Sequence, residues 1–157
     1  MTEVVVGVGN PTMRDDGVGH RIVDELDAHP DCPEDLTLTR TGTAAFLALE
    51  ALSGADRAVV VDAVSTGADP GTVHQYRYRD GAFEDGVPNV LMHDLSFSDA
   101  LQAGSDAYDL PEEIIVIGVE PASLTVGLGV SDPVEAAIPT IVTTVLDALT
   151  TPEPEPQ

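Results

Sequence analysis

Three features of the sequence predict an α/β fold, a mostly parallel twisted sheet held between two helical layers. Short apolar runs recur at Val4–Val8, Ala58–Val61 and within Glu113–Val119, the last with Ile-Ile-Val-Ile at its centre. They are continuous rather than alternating, as in strands covered on both faces. Between them lie segments whose apolar residues repeat at helical spacing, so strands and helices alternate along the chain. With 157 residues, no internal repeat and no change of composition, residues 1–150 are expected to form a single domain.

The first run leads into Gly7-Val8-Gly9-Asn10-Pro11-Thr12-Met13-Arg14-Asp15-Asp16-Gly17-Val18-Gly19 and an amphipathic segment, Val18 to Leu26. This predicts a strand, a tight loop and a helix, with Asp15 and Asp16 at a strand's carboxyl end, where open α/β sheets bind ligands. A dinucleotide fingerprint is excluded, because Thr12 stands where its third glycine belongs. Two carboxylates at the helix start would also repel a phosphate. The chain has no Lys, so no Walker loop is possible.

Leu36–Arg40 alternates like a strand, and Thr41-Gly42-Thr43 turns into a predicted helix, Ala44 to Leu52, with Ala44, Leu47, Ala48 and Ala51 on one face. Gly54 ends it, and Asp62 terminates the run Ala58–Val61. After a turn-rich stretch, Ser65 to Gly71, the alternating Val73–Arg79 reads as an edge strand or hairpin arm. A loop from Asp80 to Asn89 precedes Val90–His93 and a helix expected from Asp94 to about Ala103. Glu120-Pro121 closes the strand Glu113–Val119, and a loop with Gly127 and Gly129 follows. Ser131 is the expected N-cap of a last helix with Pro133 in its first turn. Val134, Ala137, Ile138, Ile141, Val142, Val145 and Leu149 line its apolar face, and Pro139 is expected to kink it. Residues 151–157 form a polar proline tail, expected to be disordered.

Charge narrows the function. The chain carries 28 Asp and Glu against 6 basic residues, all Arg, for a formal net charge of −22. Nucleic acid and anionic membrane surfaces are therefore excluded as partners. The acidic residues are spread over helices and loops rather than gathered into a block. Dispersal, the lack of Lys and an aromatic content of 4% favour a halophile-like acidic coat over a docking surface for a basic partner. The single cysteine, Cys32, forms no intrachain disulfide and no Cys-rich zinc site, and reads as a half-buried structural thiol. No signal-peptide pattern and no membrane-length apolar run is present, so a soluble, cytoplasmic protein is expected.

Asp16, Asp62 and His93 share one topological position, just after a strand or at a helix start. If their strands are neighbours, two carboxylates and an imidazole converge on one rim. That set suits a first-row divalent ion with open coordination positions. Each also has a plainer reading. Asp15, beside Asp16, serves as a helix cap, Asp62 as a turn carboxylate and His93 as a core histidine. His20, His29 and His74 lack such placement and read as structural or surface residues.

At these residues the sequence resembles the nickel-iron hydrogenase maturation endopeptidases. The resemblance rests on Gly7-Val8-Gly9-Asn10 with Asp15-Asp16-Gly17-Val18-Gly19, Gly42-Thr43, Val61-Asp62-Ala63, His93 with Leu95 and Phe97, Ile117-Gly118-Val119-Glu120-Pro121 and Gly127-Leu128-Gly129-Val130-Ser131. It implies a three-layer α/β/α sandwich with about five strands. It also implies an endopeptidase that clips a C-terminal extension from a hydrogenase large-subunit precursor after nickel insertion. Asp16, Asp62 and His93 are then the metal-contacting and catalytic residues. Asn10, Gly42, Thr43 and Arg40 are expected to contact substrate. Nickel is expected to arrive with the substrate, no resident cofactor is expected, and the protein is expected to act as a monomer. The sequence departs from the family at Thr12, Arg14, Leu91 and Arg40. The last reverses a charge near the Gly-Thr turn and bears on which substrate end is accepted. The rival readings are a non-catalytic metal-dependent checkpoint that binds the immature subunit and a small-molecule-binding α/β protein. Neither GxSxG nor HExxH occurs to support another hydrolase chemistry.

If the acidic coat is adapted to salt, self-repulsion among charges summing to −22 should weaken the fold in dilute buffer. Circular dichroism melts across a salt series should show Tm rising from dilute buffer to molar salt. An unchanged Tm would count against the coat.

Overall fold

Burial on both faces decides where this chain makes strands. The computed structural model describes residues 2–43, 45–79, 82–83, 101, 104 and 107–150. Val90–His93, most of the loop Asp80–Asn89, most of the helix expected over 94–103 and the tail 151–157 lie outside the described residues.

The elements run β1 (Glu3–Val8), a 3-10 turn (Arg14–Gly17), α1 (Val18–Asp27), β2 (Thr37–Thr41), α2 (Ala45–Leu52), β3 (Arg57–Ala63), β4 (Val73–Arg79), β5 (Ala82–Phe83), β6 (Glu113–Val119) and α3 (Asp132–Thr150). The sheet order is β2-β1-β3-β6-β4-β5. β2, β1, β3 and β6 are parallel, and β4 is antiparallel to both β6 and β5. Among the described residues the sheet thus has five full strands, and the two-residue β5 pairs with the end of β4. Val73–Arg79 is the hairpin arm rather than the bare edge, because Tyr78 pairs with Phe83 and Arg79 with Ala82.

Alternate residues of each strand feed opposite cores. Val4, Val6, Val8, Val60, Ile114 and Val116 face Ala48, Leu49 and Leu52 of α2. Val5, Val59, Val61, Ile115 and Ile117 face α1 and α3. The predicted stripe on α3 is the buried one, Ala137 alone being half-buried, and the helix continues through Pro139 to Thr150. On α2 the predicted face is rotated. Leu49 and Leu52 are fully buried, whereas Leu47 is 46% exposed and Phe46 45%. The short helix is apolar nearly all round, so periodicity alone did not select its inner side.

The β1-α1-β2 and β2-α2-β3 connections pass on opposite faces of the sheet, since α1 and α2 contribute to different cores. The topology therefore switches between β1 and β3, where the carboxyl ends of the strands open a crevice. Gly19 lets α1 close on that point. A β-carbon there would sit 2.4 Å from the carbonyl oxygen of Val61 in β3, and 2.7 and 2.8 Å from Val8 N and O in β1.

All three atoms are backbone and cannot swing aside. Gly19→Ala should therefore lose about 3 kcal/mol of stability in urea unfolding, as overpacking does. Gly42→Ala, whose β-carbon would meet only Leu47 Cδ1 at 3.6 Å, should change stability by less than about 0.5 kcal/mol.

Candidate active site

Two acidic residues side by side in one turn go to different work. Asp15 is fully buried, and Asp16 is half-exposed. Asp15 does not cap α1. Its Oδ2 accepts the N–H groups of Ala122 (2.8 Å) and Ser123 (3.0 Å) and the hydroxyl of Ser131 (2.7 Å), and its Oδ1 accepts the Ser131 N–H (2.7 Å). The Ser131 hydroxyl is thus spent on Asp15 rather than on capping α3. Burial, the largest influence, pushes the Asp15 carboxyl up. The bonds from Ser131, Ser123 and Ala122 outweigh it and hold the carboxyl below its ordinary range.

Asp16 Oδ2 accepts the Asn10 N–H at 2.9 Å. Asn10 in turn accepts from Thr12 N (3.0 Å) and Thr12 Oγ1 (2.6 Å) through its side-chain oxygen, an Asx turn that shapes the loop leaving β1. Gly9, at φ +141°, passes so close to this turn that a β-carbon would lie 1.9 Å from the Asp16 carbonyl oxygen. Asp16, Asn10, Met13, Thr43 and Leu124 line a cleft of about 310 Å³. Asp62 is the penultimate residue of β3 and fully buried, with Oδ1 accepting the Ala63 N–H at 2.8 Å. Because β3 pairs with β1, Asp16 and Asp62 stand at the carboxyl ends of adjacent strands, at the switch point.

His93 lies outside the described residues. Among the described residues, no group of three or more His, Cys, Asp or Glu side chains is placed to hold a metal ion. Gly42 is exposed just before Thr43, and Arg40 of β2 ion-pairs with Asp24 of α1. Arg40 is thus not among the residues lining the cleft around Asp16.

Glu120 is a further buried carboxylate, one to which the sequence assigned no role. It accepts the N–H groups of Thr66 (2.7 Å) and Ala68 (2.9 Å) and the Thr66 hydroxyl. Burial raises its pKa, but the bonds from Thr66 and Ala68 and the nearby His74 bring it below its ordinary range. His74 Nε2 lies 3.9 Å from Glu120 and belongs to this clasp. His20 Nε2 sits 2.8 Å from the Thr41 carbonyl oxygen, and Cys32 is half-buried with its thiol pushed up by burial and by Asp27.

Comparison with known proteins places the chain in a family. A family model described as hydrogenase maturation protease matches residues 20–148. The chain belongs to the hydrogenase maturation protease family. It is 31% identical to the hydrogenase 2 maturation protease of Escherichia coli over 155 residues, covering 95% of this chain and 91% of that protein. It is 33% identical to the hydrogenase expression/formation protein HoxM of Azotobacter vinelandii, covering 86% of this chain and 66% of that protein. Among solved structures, the hydrogenase maturating endopeptidase HybD from E. coli superposes with a TM-score of 0.79 at 30% identity, covering 95% of this chain and 92% of that one. The chain spans just under two thirds of the length of several curated relatives, 63% of HupD from Bradyrhizobium diazoefficiens among them. The α/β fold expected from the sequence is that of this family.

Asp15→Asn would turn an amide N–H₂ toward donors that now meet a carboxylate. It should cost about 3 kcal/mol in urea unfolding at pH 7, since each bond to a buried charge is worth roughly 1.5–3 kcal/mol. Because the folded-state pKa is lowered, the wild-type advantage should be full above the ordinary aspartate pKa of about 3.9. It should shrink as pH falls through the lower folded value.

Proposed function

We propose that this chain is an endopeptidase that removes the C-terminal extension of a nickel-iron hydrogenase large-subunit precursor once nickel has been inserted. The observation that carries the reading is the placement of Asp16 and Asp62 at the carboxyl ends of adjacent strands, with Asp16 lining a cleft, in a member of this family. Asp16, Asp62 and His93 would hold the nickel of the precursor, which is part of the substrate. Two carboxylates and an imidazole form a hard to borderline donor set without thiolate, suited to engaging an ion that brings further ligands of its own. No resident cofactor is then required.

The chemistry asks little more of the chain. A carboxylate near the cleft takes a proton from water, the resulting hydroxide adds to the scissile carbonyl, and the proton passes to the leaving amine as the C–N bond breaks. Asn10 and Thr43 shape the wall where the polypeptide lies, and Gly42 leaves the approach to it open. The protein would work as a monomer in the cytoplasm. Among the described residues, no helix is long and apolar enough to cross a membrane.

Matched nickel-loaded and nickel-free precursor should be offered to the protein and the product weighed by mass spectrometry. Shortened product is expected from the nickel-loaded form alone. His93→Ala and Asp62→Asn should abolish it, whereas His74→Ala should still process. Equal cleavage of both precursors, or stoichiometric zinc in the isolated protein, would overturn the reading. Binding of the precursor without a shortened product would establish the checkpoint instead.

A further inference from the structure

On the other side of the loop 10–17 from Asp16 lies a second cavity, of about 230 Å³. The loop is the wall between the two. Asn10, Met13 and Asp16 face the first cleft, and Pro11, Arg14 and Gly17 face the second. The segment 121–131 borders both, with Leu124 at the first and Leu128 at the second.

Among the described residues, every charged side chain around the second cavity but one has an oppositely charged partner. Arg21 is held by Glu25 at 2.9 Å and by both carboxylate oxygens of Glu135 at 2.8 Å. Asp24 is held by Arg40. Arg14 makes no ion pair among the described residues. Its one side-chain hydrogen bond is from an Nη to the Leu128 carbonyl oxygen at 3.5 Å, the outer limit for such a bond. In a chain with 28 acidic and 6 basic residues, a guanidinium facing a cavity without a carboxylate partner stands apart from four of the other five arginines. Arg21, Arg40, Arg57 and Arg79 all have one.

Arg14 is also held where it is at a conformational cost. Its φ is +49°, the only left-handed non-glycine among the described residues, a region that L residues other than Asn and Asp seldom occupy. The backbone is fixed there by Arg14 N–H to the Gly127 carbonyl oxygen (3.0 Å) and by Gly127 N–H to the Thr12 carbonyl oxygen (2.8 Å). The side chain lies across Gly127, where a β-carbon would come within 2.5 Å of Nε. Strain of this kind collects where a side chain must be presented to a ligand. The cation is thereby pre-aimed, and it loses little freedom on binding.

We infer that Arg14 receives a carboxylate of the polypeptide substrate, one loop away from the cleft where that substrate is cut. The inference rests on the protease reading. A substrate carboxylate approaching this chain meets repulsion over most of its surface, so the one uncompensated guanidinium beside the cleft sets which polypeptide is accepted and in which register. A planar guanidinium takes such a group through paired N–H donors. The carboxylate is either an acidic side chain of the extension or the free C-terminus. Leu128 and Val126, 77% and 80% exposed, offer the apolar surface over which the chain would pass between the two cavities.

The test compares wild type, Arg14→Gln and Arg14→Lys on nickel-loaded precursor. Three precursors are used: native, one with the acidic side chains of its extension replaced by amides, and one with an amidated C-terminus. Arg14→Gln should raise KM for the native precursor about tenfold, the loss of one charge-assisted bond, with kcat unchanged, and Arg14→Lys should recover most of it. One amide precursor should raise the wild-type KM equally and be indifferent to Arg14→Gln, and which one it is names the carboxylate. An unchanged KM for Arg14→Gln, or an equal loss against both amide precursors, would overturn the inference. Affinity for uncleaved precursor is measured on the same proteins. Binding that weakens with Arg14→Gln while wild type cuts nothing would overturn the protease reading and uphold the carboxylate contact. Absence of both binding and cutting would overturn both.

Discussion

The rim of this protein depends on one buried carboxylate. Asp15 gathers three backbone N–H groups and a hydroxyl from residues 122–131, and so ties the segment after β6 to the turn after β1. Without it, four donors in a nearly closed site would face an apolar or empty space, at the cost of their lost hydration. The tie is reinforced by the backbone. Asp15 N–H donates to the Ser123 carbonyl oxygen and Arg14 N–H to that of Gly127, so the two segments run edge to edge as a short parallel bridge at Met13 and Gly127. Leu124 reaches the wall of the Asp16 cleft because this clasp brings it there. Glu120 repeats the device on the neighbouring side, drawing in residues 66–68.

The sharing of labour between Asp15 and Asp16 follows from the turn they occupy. In a 3-10 turn, successive residues point about 120° apart, so one carboxylate enters the protein while its neighbour stays at the surface. The sequence announced that a carboxylate pair stood at the carboxyl end of a strand. It did not say which member was structural, because the partners that decide it lie more than a hundred residues away, at Ala122, Ser123 and Ser131. The glycines around the pair were legible as a motif but not as distances. Gly19 and Gly9 are needed for contacts with β3 and with the Asp16 carbonyl, neither of which local pattern describes. Long strongly periodic elements were legible almost to the residue, as α1, β6 and α3 show. The short α2 was placed correctly along the chain, and its inner face was misread.

At the opposite end of the sheet, charge is used differently. Arg57 of β3 donates to Glu113 of β6 at 3.1 Å and to the terminal carbonyl oxygens of α3 at Ala148 (2.7 Å) and Leu149 (3.2 Å). Arg79 of β4 reaches the other oxygen of Glu113. This network satisfies a helix C-terminus and a buried carboxylate together, as cations near helix C-termini do. Its cations and carboxylates are spent on one another. It locks three strands and a helix, and it leaves that end closed to outside ions.

The carboxyl end differs in the kind of partner its carboxylates have. Asp15, Asp16, Asp62 and Glu120 all accept backbone N–H groups. Backbone donors hold a carboxylate in its charged form without cancelling its charge. Asp15 and Glu120, both held below the ordinary carboxylate range, therefore keep negative charge beside the switch point. The buried carboxylates at the two ends of the sheet thus differ in their donors, arginines for Glu113 and backbone amides for Asp15 and Glu120.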